Sequence, residues 1–356
     1  MPDKSQNPDA LPIGVDFGSS SVKLAQVRPS EPAGYELVAT AVADVPAPCR
    51  HKPTMRRRFL SETLRDLINT QGFTGTECIL SLPAGETFVQ PIRLPKSASA
   101  DMDGAIRAEI ADQVPFSIDS AIVRHILAEE VYEAGEAKQE VIVVAASEAT
   151  VHEYLSVVSK AKLEPVGVNV EPLAIVECFA RLFEGEGGGQ TVLFVDIGED
   201  TTQVVLARGT KVFFIRNLPT GGRQLVQAVA AAKNISPGQA WEMRLAALRA
   251  GSSPANDAET EQMLAGPISA LSGELTQCLR YCESVFKNES VERAVFLGGQ
   301  AYDRTLCQSI ARRMNLPAQI GDPLLQIRRD SEVQTPPEPR LAVAVGLSLG
   351  AQVVVA

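Results

Sequence analysis

The chain has 356 residues, 45% of them apolar and 21% charged, which describes an ordinary globular protein of two or three domains and excludes a disordered one. Its net charge of −10 argues against a nucleic-acid partner held mainly through phosphates, because that surface needs a dominant basic field, and leaves room for a local basic patch. The six cysteines form no C-x-x-C pair, and Cys278 and Cys282 have no other Cys or His close in sequence, so free thiols of a reducing compartment are expected rather than zinc or disulfides.

Met1 to Ala10 is polar and lacks the apolar core of a signal peptide. Pro12 to Phe17, Ser21 to Val27 and Tyr35 to Val45 then read as three strands of a meander. Thr54 to Asn69 repeats apolar residues at helical spacing, with Arg56-Arg57-Arg58 read as a solvated basic face. Cys78 to Leu82 is a strand closed by Pro83. From Glu86 to Glu164 the pattern predicts an inserted αβ unit: a strand at Phe88 to Leu94, a helix at Ser99 to Asp112 capped by Ser99 or Asp101, paired strands at Ile122 to Val131 and Glu140 to Ala146, and a helix at Glu148 to Lys162. Pro165 to Val170 is a strand, Pro172 to Phe183 a helix, and Gly185 to Gly189 a linker. Thr191 to Ile197, Thr202 to Arg208 and Lys211 to Asn217 repeat the opening meander. Gly221 to Leu279 is mostly helical with a break at Gly251 to Asp257, and Val291 to Leu297 with Asp303 to Met314 gives a last strand and helix. Asp330 to Pro339 reads as a surface loop. No run reaches the roughly 18 apolar residues of a membrane span, and the uncharged Leu341 to Ala356 suits a buried helix closing a core.

The duplication carries the chemistry. Ile13-Gly-Val-Asp16-Phe-Gly18 matches Leu193-Phe-Val-Asp196-Ile-Gly198, about 180 residues apart. A strand that ends in Asp and turns at once through Gly puts a carboxylate and bare backbone N–H groups at one place. Ser19, Ser20 and Ser21 add donors to the first turn, and Lys23 reaches the same spot as a point charge. Thr201 and Thr202 equip the second turn. Two such turns facing across a cleft would grip a polyphosphate, with Asp16 and Asp196 holding Mg²⁺ through its waters. Gly298, Gly299 and Gln300 follow a strand and would lie against a nucleoside, and Glu171 would order a water or the metal shell, or simply meet a helix dipole. No Walker-type G-x-x-x-x-G-K-[ST] is present. His51, His125 and His152 are isolated and carry no catalytic assignment.

The ordered set D-x-G-x-x-x-x-K, E-P, D-x-G-x-x-T-T, G-G-R and L-G-G-Q-A resembles the actin, sugar-kinase and heat-shock chaperone superfamily. Within it, Ile13 to Lys23, Gln113-Val-Pro-Phe116, Leu218-Pro-Thr-Gly-Gly222 and Ala342-Val-Ala-Val-Gly346 resemble the PilM family of type IV pilus assembly proteins, and more distantly the division protein FtsA. The resemblance implies an α/β fold of two actin-like lobes around a nucleotide cleft. The first lobe would be residues 11–85 and 165–186, with 340–356 returning to it. The insert would be 86–164, and the second lobe 190–339 with a helical subdomain at 221–290. It implies ATP or ADP with Mg²⁺ held by the two turns, with Gly221, Gly222 and Arg244 added to the nucleotide contacts. It also implies a peptide groove at Val114, Pro115 and Phe116 for the cytoplasmic N-terminal tail of a PilN-like single-span inner-membrane protein, and a cytoplasmic protein peripheral to that membrane. Self-association stays open. Trp241 is read as a packing residue. Glu199 and Asp200 add negative charge at the phosphate end, so weak or no hydrolysis is expected. Two alternatives share the fold: a small-molecule kinase, which would need a carboxylate base against a substrate hydroxyl, and an FtsA-like filament former, which would end in a basic amphipathic helix.

Overall fold

A computed structural model describes residues 10–31, 34–133, 135–182, 189–250, 254–286, 290–329 and 336–350. In chain order, strands β1 (Ile13–Phe17), β2 (Ser21–Ser30) and β3 (Gly34–Asp44) form the first meander, followed by helices α1 (Ala47–Arg50) and α2 (Pro53–Thr70) and strand β4 (Glu77–Leu82). The insert contributes β5 (Phe88–Pro95), α3 (Met102–Ile110), β6 (Ala121–Glu133), β7 (Glu136–Ser147) and α4 (Glu148–Lys160). Strand β8 (Glu164–Val170) and helix α5 (Glu171–Leu182) return to the first sheet. The second meander is β9 (Thr191–Ile197), β10 (Thr202–Arg208) and β11 (Lys211–Leu218). Helices α6 (Gly222–Lys233), α7 (Pro237–Ala250), α8 (Pro254–Met263) and α9 (Ala265–Val285) follow it. Then come β12 (Val291–Leu297), α10 (Arg304–Met314), β13 (Ala318–Ile320), β14 (Ile327–Arg328) and α11 (Ala342–Leu349).

The two meanders build sheets of the same plan. The first runs β14-β3-β2-β1-β4-β8 and the second β11-β10-β9-β12-β13, with β1 and β9 central, antiparallel to the next strand and parallel to β4 and β12. Every residue of β1 is buried because both faces are covered. Ile13, Val15 and Phe17 pack on one face with Leu60 and Leu64 of α2 and with Val151, Tyr154, Val157 and Val158 of α4. On the other side α5 and α11 fill a core shared by both sheets, where Ala25 and Val27 meet Phe194, Val205 and Val295 through the two helices. The outer face of the second sheet packs on α6, α9 and α10. The layers are therefore helices, sheet, helices, sheet, helices.

Two glycines let α11 sit between the lobes. A Cβ on Gly14 would lie 2.0 Å from the Ala344 carbonyl, and one on Gly346 would lie 1.8 Å from that of Ala174. Every residue of α11 is buried, as its uncharged sequence predicts.

The insert forms a three-stranded sheet, β5-β7-β6, covered by Ile106 and Ile110 of α3. Asp101 caps α3 by accepting from the Gly104 N–H at 2.9 Å. The helix at Glu148–Lys160, assigned to the insert by sequence, packs instead in the core of the first sheet. The paired strands extend further than their apolar runs, and β13 and β14 are too short to show periodicity. Of the break read at Gly251 to Asp257, residues 251–253 lie outside the described residues and the rest falls in α8, which starts at Pro254. The linker at Gly185 to Gly189 and the loop at Asp330 to Pro339 fall largely outside the described residues. No helix among the described residues is long and apolar enough to cross a membrane.

The insert also touches the second lobe. Arg93 on β5 donates to Glu140 on β7 at 2.9 Å and to the Tyr281 hydroxyl of α9 at 3.1 Å. Tyr281 in turn donates to Glu140, whose side chain is fully buried. Burial opposes the Arg93 charge, but Glu140 and Tyr281 raise its pKa beyond the usual arginine value.

Candidate functional site

The residue positions that matter are fixed by strand register. In the first hairpin Asp16 stands opposite Lys23, and in the second Asp196 stands opposite Gln203. Each pair sits where its hairpin closes, so both carboxylates reach the same gap between the lobes. The Lys23 ammonium donates to Asp16 Oδ2 at 2.8 Å. Gln203 donates instead to Glu171, the first residue of α5. A Cβ on Gly18 would lie 2.5 Å from Lys23 Nζ, so a side chain there would displace the ammonium from its place on Asp16.

Both turns have their carbonyls occupied from behind. In the first, Arg56 donates to the carbonyls of Gly18 at 2.8 Å and Ser19 at 2.7 Å, while the Val45 N–H donates to that of Ser20 at 2.8 Å. In the second, the N–H groups of Gly222 and Arg223, at the start of α6, donate to the carbonyls of Gly198 and Glu199 at 2.9 Å each. The turn after β12 closes the same corner. Gly298 has φ of +83°, and a Cβ on it would lie 2.2 Å from Asp196 Oδ1.

Between the turns lies a cleft of about 610 Å³, within the size range of small-molecule sites. One end is polar, lined by Asp16, Gly18, Ser19, Ser20, Ser21, Lys23, Glu171, Asp196, Gly198, Glu199, Thr201 and Gln203. The other is more apolar, with Trp241, Leu245, Leu248, Tyr302, Ile320 and Val343 beside Arg244 and Arg304. Buried polar atoms normally find partners. Here Asp16 Oδ1, Glu199 Oε2, Gln203 Oε1 and Arg244 Nη1 are buried with none.

The charges at the polar end are strained by burial. Burial pushes the Glu171 carboxyl well above its usual range, and the Asp16 and Asp196 carboxylates push it further. Burial likewise raises Asp196, to about 6, against the pull of Lys23 and with the repulsion of Asp16. For Lys23 burial disfavours the charge, but Asp16, Glu171 and Asp196 outweigh it and raise the pKa. Burial also raises Glu199, and of the two acidic residues anticipated from sequence Asp200 is paired with Arg223.

The profile of the family described as "Type IV pilus assembly protein PilM" matches residues 14–352. The chain belongs to the PilM family. Among solved structures it is similar to the "PilM-PilN type IV pilus biogenesis complex", with a TM-score of 0.77 and 24% identity over 97% of this chain and 99% of that one. It is also similar to the ethanolamine utilization protein EutJ from Carboxydothermus hydrogenoformans, with a TM-score of 0.58 and 16% identity over 97% and 90% of the two chains. These likenesses agree with the duplicated sheets in placing the PilM-family chain in the actin-like α/β fold.

Most residues expected from sequence line the cleft: Asp16, Gly18, Ser19, Ser20, Ser21, Lys23, Glu171, Asp196, Gly198, Thr201, Arg244, Gly298, Gly299 and Gln300. Three do not. Gly221 and Gly222 stand behind the second turn, where a Cβ on Gly221 would lie 2.8 Å from the carbonyls of Gly198 and Glu199. Thr202 is buried and donates to the Thr220 carbonyl at 2.7 Å. Trp241 packs against the second core, as expected, but also forms part of the cleft wall. Val114 and Phe116 pack against the core of the insert sheet, and Pro115 between them is exposed.

Sequence reasoning missed Gln203, Asp44, Leu245, Leu248, Tyr302 and Arg304 on the cleft wall. The duplication itself could have found Gln203, which lies seven residues after Asp196 as Lys23 does after Asp16. It also misplaced Arg56, which is buried, while Arg57 pairs with Glu153 and Arg58 with Glu62 at the surface.

Proposed function

We propose that this chain binds ATP or ADP with Mg²⁺ in the cleft and serves as a pilus-assembly scaffold that holds the cytoplasmic tail of a PilN-like inner-membrane protein. The observation that carries the nucleotide reading is the pairing of the two turns, with Lys23 on Asp16, Asp16 Oδ1 left without a partner, and both Asp16 and Asp196 on the wall of the cleft. Two buried carboxylates, one with an unpartnered oxygen, suit a hydrated divalent cation. Magnesium there would supply charge neutralisation for phosphate oxygens. Lys23 would bind phosphate as a point charge, and Ser19, Ser20, Ser21 and Thr201 would donate to it. Gly298, Gly299, Gln300 and Arg244 would face the nucleoside beside the apolar wall. Glu171 would position a water or the metal shell, and its raised pKa makes it a reluctant carboxylate anchor. No residue is assigned a fast hydrolytic role, so the reading is of nucleotide binding with weak or no turnover.

The partner reading rests on family membership and on the likeness to a complex of PilM with PilN. The insert offers what strand addition needs. Its strand β6 is an edge, with Leu127 55% and Tyr132 75% exposed, and Pro115 lies on the adjoining turn. The division proposed for the chain is two lobes plus this insert, with α4 transferred to the first lobe. Through the partner the protein would sit at the cytoplasmic face of the inner membrane.

Calorimetry with ATP and ADP, with and without Mg²⁺, tests the cleft: folded protein that binds neither overturns this reading. Titration with PilN-like tail peptides tests the insert. Deleting residues 86–164 would strip Val151, Tyr154, Val157 and Val158 from the first core, so Leu127→Glu and Phe116→Ala are the suitable variants. Peptide binding unchanged by both removes the insert as the docking surface.

A further inference from the structure

Resting on the nucleotide reading of the cleft, we infer that Arg56 is a positioning residue that fixes the first turn in its anion-accepting form. The side chain is 7% exposed and comes from α2, outside the hairpin. Its two terminal nitrogens donate to two successive carbonyls, Gly18 at 2.8 Å and Ser19 at 2.7 Å. In a trans peptide the C=O and the following N–H point in opposite directions. Carbonyls of Gly18 and Ser19 turned back onto Arg56 therefore turn the N–H groups of Ser19 and Ser20 the other way. Gly18, Ser19 and Ser20 all line the cleft, so that direction is the one from which a phosphate would approach. A flip of either peptide would aim a carbonyl oxygen at the phosphate and strand a guanidinium nitrogen in a buried place.

The fork geometry of arginine is what allows one side chain to hold two adjacent carbonyls, and lysine cannot reproduce it. The site is also braced. Tyr154 lies beside Arg56, packs its ring against Phe17 at 4.9 Å, and donates to Glu86 at 2.7 Å. The second turn shows the same requirement met by other means, since the backbone at the start of α6 takes up the carbonyls of Gly198 and Glu199. A buried arginine thus does for the first turn what a helix terminus does for the second.

The test compares the full-length wild type with Arg56→Lys and Arg56→Gln. Calorimetry with Mg²⁺ measures ATP, ADP and AMP, amide hydrogen exchange follows Ser19 and Ser20 with and without ATP, and melting temperature reports the fold. The expected result is a loss of about tenfold or more in ATP and ADP affinity, from donors lost to a charged ligand. AMP affinity changes much less, and the protection that ATP gives the Ser19 and Ser20 amides in the wild type is lost. Two substitutions are used so that one poorly folded variant does not remove the test. Unchanged ATP affinity in a folded variant overturns the inference, as does an equal loss for ATP and AMP, which would mark a merely structural role. Wild-type protein that binds no nucleotide overturns the parent reading along with it.

Discussion

The first and second turns share a register and differ in how each is completed. In the first, the residue opposite the aspartate is Lys23, which neutralises Asp16 directly; in the second it is Gln203, which brings no charge to Asp196, leaves it only the longer-range pull of Lys23, and reaches across to Glu171. Behind the first stands a side chain, Arg56, and behind the second a helix start. Duplication therefore preserved the placement of a carboxylate and a bent backbone while the supporting chemistry diverged. The charged half is built to attract, and the neutral half holds a carboxylate that burial has already pushed toward protonation.

The sharpest way to break this comparison is to remove the charge from the first turn. Asp16→Ala leaves a buried ammonium without its partner, and such breaks cost about 3–5 kcal/mol of stability. Urea unfolding would measure it, and a cost no larger than that of Gln203→Ala would erase the asymmetry. Lys23→Gln makes the first turn chemically like the second. It is expected to lower ATP affinity by roughly ten- to a hundredfold, as for loss of a charged hydrogen bond, and calorimetry reads it.

The supporting glycines give a smaller effect. Gly221→Ala would drive a Cβ into backbone oxygens, whereas Gly222→Ala meets the ends of the Gln300 and Glu199 side chains, which can move. The first is expected to cost about 1–3 kcal/mol and the second less, by thermal or urea unfolding. The reverse order would mean that the second turn is not held by its helix start as described.

Acidity separates the two turns most gently. Asp196 titrates near 6 in the folded protein and near the ordinary value of about 3.9 when unfolded. The folded state thus binds more protons, so the contribution of this group to stability falls as pH rises from about 4 through 6 and is level above. Asp196→Asn is expected to lose less stability than wild type across that window. Melting curves from pH 4 to 7 should diverge in that sense; parallel curves would show that the attraction of Lys23 outweighs the burial of Asp196.

The duplicated Asp-x-Gly turns were legible in sequence because the strand run, the carboxylate and the glycine lie within six residues in each copy. The insert was legible as a change of pattern, but not its edge. An amphipathic helix such as α4 shows that one face is buried and not which sheet buries it, and here Tyr154 and Val158 belong to the first core. Arg56 was hidden by its neighbours. Three arginines in a row read as one solvated face, yet only Arg56 falls in line with Leu60 and Leu64 on the buried side of α2. The apolar cleft wall, from Leu245 and Leu248 to Tyr302, comes from separate elements whose meeting no local pattern records.

The contact of Arg93 and Glu140 with Tyr281 gives the molecule a lever arm. The insert is rooted in the first lobe by its chain connections, yet one of its buried carboxylates is shared with α9 of the second. A rotation that separated the lobes while leaving the insert in place would take the Tyr281 hydroxyl from Glu140 and leave that carboxylate to Arg93 alone, a loss of about 1.5–3 kcal/mol for a hydrogen bond to a charged group. The easier path carries the insert along with the second lobe and bends the chain at Pro83 and near Ser147, where the insert sheet joins the first. The width of the cleft and the attitude of the β6 edge would then be one mechanical coordinate, so that whatever grips one end is felt at the other.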